Sequence, residues 1–168
     1  MKSDAIGRLD AAHRSIEETF AAMPDPALAW LKPGDDYAIG GIVIHLSQSL
    51  DGYIATLEAL RAAGFTDTDG PGEDEAVVDA QLVHARRGLT PDERLATFAD
   101  MRAKQSRLAA LAATADEGQF ATLVAVRYPG DEAPYPTSVA LVLQWMTEHY
   151  AEHVPHAKQL FAEWQKAR

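Results

Sequence analysis

The chain has 168 residues, a formal net charge of −10 and no cysteine, and 47% of its residues are hydrophobic. This length fits one domain over residues 1–168 with a sizeable core, and the lack of Cys excludes disulfides, Cys-ligated zinc and a cysteine nucleophile. Because the net charge is negative and Lys and Arg form no basic stripe in the sequence, nucleic acid and anionic membranes are disfavoured as partners.

Two long helices are predicted in the first third of the chain. Met1 and the residues after it contain no long apolar run, so we expect no signal peptide and a cytoplasmic protein. Apolar residues spaced three and four apart predict helix 1 from about Asp4 to Met23. A proline-rich connector follows from Pro24 to Asp36, and helix 2 is predicted from about Ala38 to Ala63.

The middle of the chain predicts a loop, a short helix and a third long helix. Phe65 to Glu75 is rich in Asp, Thr and Gly and is expected to be a solvated loop, and Ala76 to Arg87 could form a short helix. Thr90 to Glu93 is typical of a helix start, with a capping Thr, a Pro in the first turn and two acids. Helix 3 then runs to about Ala115, and its expected core residues are Leu95, Phe98, Met101, Leu108 and Leu111.

The last third of the chain predicts a short extended segment and a fourth long helix. Phe120 to Tyr128 contains β-branched and aromatic residues close together, and Pro129 to Asp131 is a turn. A hairpin or an ordered loop over one end of the protein would accommodate both. Helix 4 is predicted from about Pro136 to Gln165, with a kink before Pro155.

Four long helical patterns, each with one apolar stripe, predict an all-α fold: an antiparallel four-helix bundle with a short extended segment or hairpin before the last helix. The connections are longer than the minimum, which indicates that they cover a site or carry function.

A pair of histidines on helix 4 is the first candidate site. His149 and His153 lie four residues apart and therefore share one face, about one turn from each other. Val142 and Met146 precede them on the same stripe, which indicates a buried face. Two such imidazoles can bind one metal ion at about 2.0–2.1 Å. Each could instead be a core histidine hydrogen-bonded to a neighbour, and the pair alone leaves both interpretations open.

His45 is the candidate third ligand, because it lies near the start of helix 2 beside the core positions Ile42 and Leu46. In an alternating topology helices 2 and 4 run parallel, which would offset His45 from the pair by about one to two turns. A kink or a staggered helix start would close that gap.

The other three histidines are weaker candidates. His13 lies on the core stripe of helix 1 and is expected to support the site or to be a polar core residue rather than a ligand. His156 could compete with His153, but it would be a third ligand from one helix. His84 lies beside two arginines and is expected to be exposed.

Two segments carry a family resemblance. Lys32 to Ile39, continuing through Ile44-His45-Leu46, resembles the approach to helix 2 in the DinB/YfiT-like metalloenzyme family, where an aromatic-plus-Ile segment precedes the first metal His. Thr147 to His153 resembles the His-x-x-x-His pair on the last helix of that family. Helix number and order agree along nearly the whole chain.

The resemblance implies a four-helix bundle whose metal ligands are His45, His149 and His153, with zinc or nickel as the ion and a homodimer as the assembly. Some members of the family transfer low-molecular-weight thiols such as bacillithiol or mycothiol, or act on maleylpyruvate with such a thiol. Without a Cys in the chain, any thiol here must be an exogenous cofactor.

Three hypotheses for function follow. The first is a metal-dependent thiol transferase or hydrolase, in which the ion activates a thiol or water towards a small-molecule substrate. The second is a non-catalytic metal-binding stress or ligand-binding protein, and the third is a helical interaction module without metal. Glu148 and Glu152 flank the His pair, but a solvated helix face explains each of them better than a catalytic role.

Overall fold

The computed structural model describes residues 1–72 and 74–168 of the chain. In chain order the elements are α1 (Lys2–Ala21), α2 (Asp25–Leu28), α3 (Ile39–Ala62), β1 (Thr68–Asp69), α4 (Glu75–Arg87), α5 (Pro91–Thr114), α6 (Glu117–Ala121), β2 (Val124–Arg127), β3 (Tyr135–Thr137) and α7 (Val139–Lys166). The long helices α1, α3, α5 and α7 form the predicted four-helix bundle. Among the described residues, no helix is both long and apolar enough to cross a bilayer.

The order of the helices around the bundle is α1, α7, α3, α5, so that α1 and α3 lie on opposite corners. Helices α1 and α5 run antiparallel, since Lys2 at the start of α1 donates to the carbonyl of Ala115, which follows the end of α5. Helices α3 and α7 also run antiparallel, since Lys32, before α3, forms a 2.9 Å ion pair with Glu163 near the end of α7. These two antiparallel pairs form the bundle.

The remaining neighbours run parallel. Ser47 of α3 donates to Asp100 of α5, and further along both helices Arg107 pairs with Glu58. Helix α1 also runs parallel to α7, because α1 opposes α5, α5 follows α3, and α3 opposes α7. The predicted helices 2 and 4 correspond to α3 and α7. Since α3 and α7 run antiparallel, the expectation that these two helices run parallel was wrong. The reason is that α3 and α5 point the same way, so the chain between them must return along the bundle before α5 begins.

The segments between the long helices contain more structure than the sequence indicated. The predicted solvated loop includes β1, which pairs parallel with β2, and β2 pairs antiparallel with β3 in a three-stranded sheet. The predicted extended segment is confirmed as β2, but its first residue, Phe120, lies in α6. A capping box between Asp116 and Gln119 starts that short helix.

The core fills the space between the four long helices. Phe20, Leu46, Met101 and Tyr150 are among its fully or almost fully enclosed side chains, with burial of this kind contributing about 1.5–3 kcal/mol per large side chain. Leu95 was expected in the core, yet it is 79% exposed because it lies on the outer face of the first turns of α5.

Helix α7 is continuous from Val139 to Lys166 and passes through Pro155, before which the sequence predicted a kink. Pro155 is exposed, so the carbonyl that loses its helical N–H partner is on the side where water can replace it. The helix can therefore carry His149, His153 and the residues after Pro155 on a single element.

Two glycines allow the start of α3 to pack against neighbouring backbone. A Cβ on Gly41 would collide with the carbonyl of Ala85 at the end of α4, and one on Gly40 would lie 2.7 Å from the carbonyl oxygen of Leu28 in α2. The backbone N–H of Ala38 also donates to the Ala85 carbonyl at 3.1 Å. This contact fixes the first turn of α3, one turn before His45.

A candidate metal centre formed by three histidines

His45, His149 and His153 lie together between α3 and α7. Each offers one ring nitrogen, and the three nitrogens are all within 4.8 Å of one another. The Nε2 atoms of His45 and His149 are 2.9 Å apart, and the ring of His45 lies 5.3 Å from that of His153. The structure thus brings together the three residues that the sequence proposed as ligands.

The antiparallel arrangement of α3 and α7 explains how this happens. His45 is on the second turn of α3, and the pair is in the middle of α7. Because the start of α3 lies beside the later turns of α7, the two segments meet without the offset that a parallel arrangement would produce. His149 and His153, with ring centroids 4.9 Å apart, face His45 from adjacent turns.

Tyr37 adds an aromatic wall to this cluster. Its ring stacks on His45 with 4.8 Å between centroids and 19° between planes. Tyr37 lies just before α3, so the stack restrains one face of the imidazole. In the sequence Tyr37 is part of the aromatic-plus-Ile segment that carries the family resemblance. An aromatic residue two turns before a candidate ligand was the signal for this contact.

Burial keeps the three imidazoles neutral. It lowers the pKa of His45 to about 4, with a smaller contribution from the nearby His149. It lowers the pKa of His153 to about 3, with further contributions from His149, His45 and His156. The pKa of His149 is also lowered by burial, against an opposing effect of Glu152. At neutral pH all three rings therefore carry a free lone pair for a ligand.

The cluster fits a tetrahedral divalent ion. Zinc–nitrogen bonds of about 2.0–2.1 Å place tetrahedral ligand atoms about 3.4 Å apart, which lies between the short His45–His149 separation and the 4.8 Å limit of the group. His153 Nδ1 is buried and has no hydrogen-bond partner in the described part of the chain. A cation accounts for three clustered basic nitrogens better than mutual hydrogen bonds do, because neutral imidazoles have one donor each.

The other histidines lie outside this group. His13 is 5% exposed and meets Tyr150 edge-on, 5.5 Å between centroids, on the α1 side of the bundle. His156 lies 5.8 Å from the ring of His153 but is not among the converging ligands. His84, at 37% side-chain exposure, is beside Glu93. The two carboxylates that flank the pair, Glu148 and Glu152, are exposed.

A cleft of about 980 Å³ opens one turn from the cluster on both helices. On α3 it is lined by Ser49, whose hydroxyl donates to the His45 carbonyl at 3.0 Å, and on α7 by Trp145, one turn before His149. Residues of α4 and of the β2–β3 connection complete its walls. No local sequence pattern indicates this cleft, because its walls come from segments far apart in the chain.

No family profile and no curated protein matches the sequence, whereas solved structures match its fold. YfiT from Bacillus subtilis, described as a probable metal-dependent hydrolase with an unusual four-helix bundle topology, aligns with a TM-score of 0.73 and 19% identity, over 98% of this chain and 87% of YfiT. A conserved protein from Enterococcus faecalis aligns with a TM-score of 0.66 and 16% identity, over 97% of this chain and 98% of the other.

A mycothiol-dependent maleylpyruvate isomerase is also similar, with a TM-score of 0.69 and 8% identity. The alignment covers 92% of this chain, which spans 59% of the length of the isomerase. The chain therefore has the fold of YfiT. The resemblance is confirmed in the four-helix bundle fold, and the three histidines that the sequence singled out lie together in this chain.

Proposed function

We propose that His45, His149 and His153 bind one divalent ion, zinc or nickel, and that this ion activates a low-molecular-weight thiol or a water molecule for transfer to a small-molecule substrate. The observation that supports the proposal is the convergence of three neutral ring nitrogens within 4.8 Å, beside an open cleft. The descriptions of YfiT as metal-dependent and of the isomerase as mycothiol-dependent point in the same direction.

The donor set explains the chemistry. Three neutral imidazoles leave the full positive charge of the ion in place and at least one position open. An ion of this kind lowers the pKa of bound water to about 7 and deprotonates a bound thiol outright. The chain contains no Cys, so a thiol nucleophile must be an exogenous small molecule from solution.

A non-catalytic metal-binding protein is the second candidate function. It is favoured because no Asp or Glu of the described residues converges with the three ring nitrogens, and proton transfer to or from a bound water needs a positioned acid or base. A helical interaction module without metal is the third candidate. We further propose that residues 1–168 act as one domain, in the cytoplasm, and pair as a homodimer. Light scattering on the purified protein tests the pairing, with a mass near twice 18.2 kDa expected.

Elemental analysis tests the metal. Protein purified without chelator is expected to carry close to one equivalent of zinc or nickel, and His149→Ala or His153→Ala should abolish its retention. His84→Ala is the matched control and should retain the ion, since His84 lies beside Glu93 and away from the cluster. Equal metal content in all these proteins would refute the ligand assignment.

A thiol-transfer assay separates the first candidate from the second. Mycothiol, bacillithiol and glutathione are each incubated with 1-chloro-2,4-dinitrobenzene and the zinc-loaded or nickel-loaded protein. Attack by the thiolate forms a thioether and releases chloride, while the thiol proton goes to solvent. A rate above the uncatalysed reaction that disappears in His149→Ala supports a transferase. An unchanged rate with all three thiols favours the non-catalytic protein or a hydrolase.

A further inference from the structure

The cleft beside the three histidines has aromatic walls. Tyr53 comes from α3, Tyr128 and Tyr135 from the strands and their connection, and Trp145 from α7. Tyr135 and Trp145 meet edge to face, with ring centroids 5.8 Å apart, and Tyr135 is 55% exposed. Aromatic rings presented to a solvent-filled space offer faces on which a ligand can stack, and each face carries partial negative charge.

The charged side chains that line the cleft all have the same sign. They are Asp51, Asp74 and Asp131, and among the described lining residues there is no Lys, Arg or His. Lys104 pairs with Asp51 at 2.8 Å, which leaves Asp74 and Asp131 as the charges that no described cation neutralises at short range. The two carboxylates on α7 next to the His pair, Glu148 and Glu152, add negative potential near Tyr53.

We propose that this cleft binds organic cations, with an ammonium group held among the aromatic rings and carboxylates. A cation over a Tyr or Trp face gains about 0.5–2 kcal/mol, and carboxylates in the same space add to this attraction. An anionic group of the same shape meets negative ring faces and negative side chains, with no basic residue to receive it. The cleft therefore selects by charge as well as by shape.

The position of the cleft connects this selectivity to the histidines. Ser49 is one turn after His45, Trp145 is one turn before His149, and both line the cleft. Ser49 and Trp145 therefore place part of the cleft about one helical turn from the histidines on each of the two helices. Whether the bound cation is also a substrate rests on the proposed function, whereas its binding does not.

Three probes that share one skeleton test the proposal: 3-phenylpropylamine, 3-phenylpropan-1-ol and 3-phenylpropionate. Their dissociation constants are measured by ligand-observed NMR at low ionic strength, with the metal-free protein and with the zinc-loaded protein. We expect the amine to bind the metal-free protein at least about tenfold tighter than the carboxylate, with the alcohol between them. Added salt should reduce the ratio. Measurement on the metal-free protein keeps carboxylate–zinc contacts out of the comparison.

Variants assign the charge preference to the cleft. Asp74→Asn/Asp131→Asn removes two charges and keeps an acceptor for the Ala76 N–H that Asp74 caps, and it should bring the amine-to-carboxylate ratio close to one. The matched control is Glu18→Gln/Asp92→Asn, which removes two exposed charges outside the cleft and should leave the ratio unchanged. Trp145→Leu should weaken the amine more than the alcohol.

Three results would overturn the proposal: no binding of the amine at about 10 mM, carboxylate binding to the metal-free protein as tight as amine binding, or equal loss of selectivity in the two double variants. None of these depends on metal content, which is measured separately in the same samples. Zinc binding without charge selectivity would therefore support the proposed function and overturn this inference. Charge selectivity without zinc binding would support this inference and count against the proposed function.

Discussion

The Nε2 atoms of His45 and His149 lie 2.9 Å apart, on the antiparallel helices α3 and α7. The two residues are 104 positions apart in the chain. Their contact depends on the whole arrangement of the bundle, and a shared ion would turn it into a cross-link between the first turns of α3 and the middle of α7.

Such a cross-link should raise the melting temperature when zinc is added. At a free zinc concentration of about 100 times the dissociation constant, binding stabilises the folded state by about 2.7 kcal/mol. For a chain of this size that corresponds to roughly 5–10 °C. Scanning calorimetry with and without zinc measures the shift, which His149→Ala should abolish and His84→Ala should keep. The same shift in both variants would show that zinc stabilises the protein elsewhere.

The metal-free protein should lose stability as the pH falls from about 6.5 towards 4. The pKa of His153 is about 3 in the folded protein against 6.5 for a free His, so between these values the unfolded chain takes up a proton that the folded chain does not. The free energy of unfolding then falls with decreasing pH, by about 1–2 kcal/mol for this group between pH 7 and pH 5. Above pH 6.5 His153 is neutral in both the folded and the unfolded chain, so its full contribution to stability is present.

Urea unfolding at several pH values, in the presence of chelator, measures this effect. His153→Gln has no titrating ring, so its stability should decline less than that of the parent protein over the same interval. His45→Gln should behave similarly, since the pKa of His45 is about 4. An identical pH dependence in parent and variants would contradict the lowered pKa values.

Removal of the Tyr37 ring should weaken metal binding. The ring stacks on His45, so Tyr37→Ala frees the imidazole to rotate and should lower zinc affinity by about tenfold. Tyr37→Phe keeps the stack and should bind zinc as the parent does. Competition with a chromophoric chelator gives both affinities. Equal zinc affinities of Tyr37→Ala and Tyr37→Phe would show that the stack does not orient His45.

A substitution at the start of α3 should disturb the fold and the site together. Gly41→Ala places a methyl group against the Ala85 carbonyl, where neither backbone can yield easily, and should destabilise the protein by about 3 kcal/mol. Gly7→Ala is the matched control, because a Cβ there meets nothing within 4 Å in α1. It should stabilise the protein by about 0.5–1 kcal/mol. Chemical denaturation measures both, and a stable Gly41→Ala would contradict the close backbone contact.

The sequence was sufficient to predict the four long helices and the three histidines. Apolar spacing marks α1, α3, α5 and α7, and the capping box at Thr90 marks the start of α5. The His-x-x-x-His spacing, together with the family resemblance, singled out the three candidate ligands whose rings lie side by side in the structure. These signals are local, or consist of residue types that are uncommon on an apolar stripe.

Helix direction and the cleft were beyond the sequence for a physical reason. Whether α3 runs with or against α7 depends on the path of the chain between α3 and α5, and hydrophobic periodicity carries no information about that path. The two-residue strand β1 pairs with a strand about sixty positions later, so no local pattern predicts it. The cleft could not be predicted either, because Tyr53, Tyr128 and Trp145 come from different segments.

The parallel course of α3 and α5 has an evolutionary consequence. The connecting segment that this course requires contains α4, and α4 forms one wall of the cleft without contributing to the three-His cluster. Replacements there can change which molecules gain access while the ligand geometry, held by α3 and α7, stays the same. Sequence change in this one crossover could therefore reshape the cleft while the three histidines keep their positions.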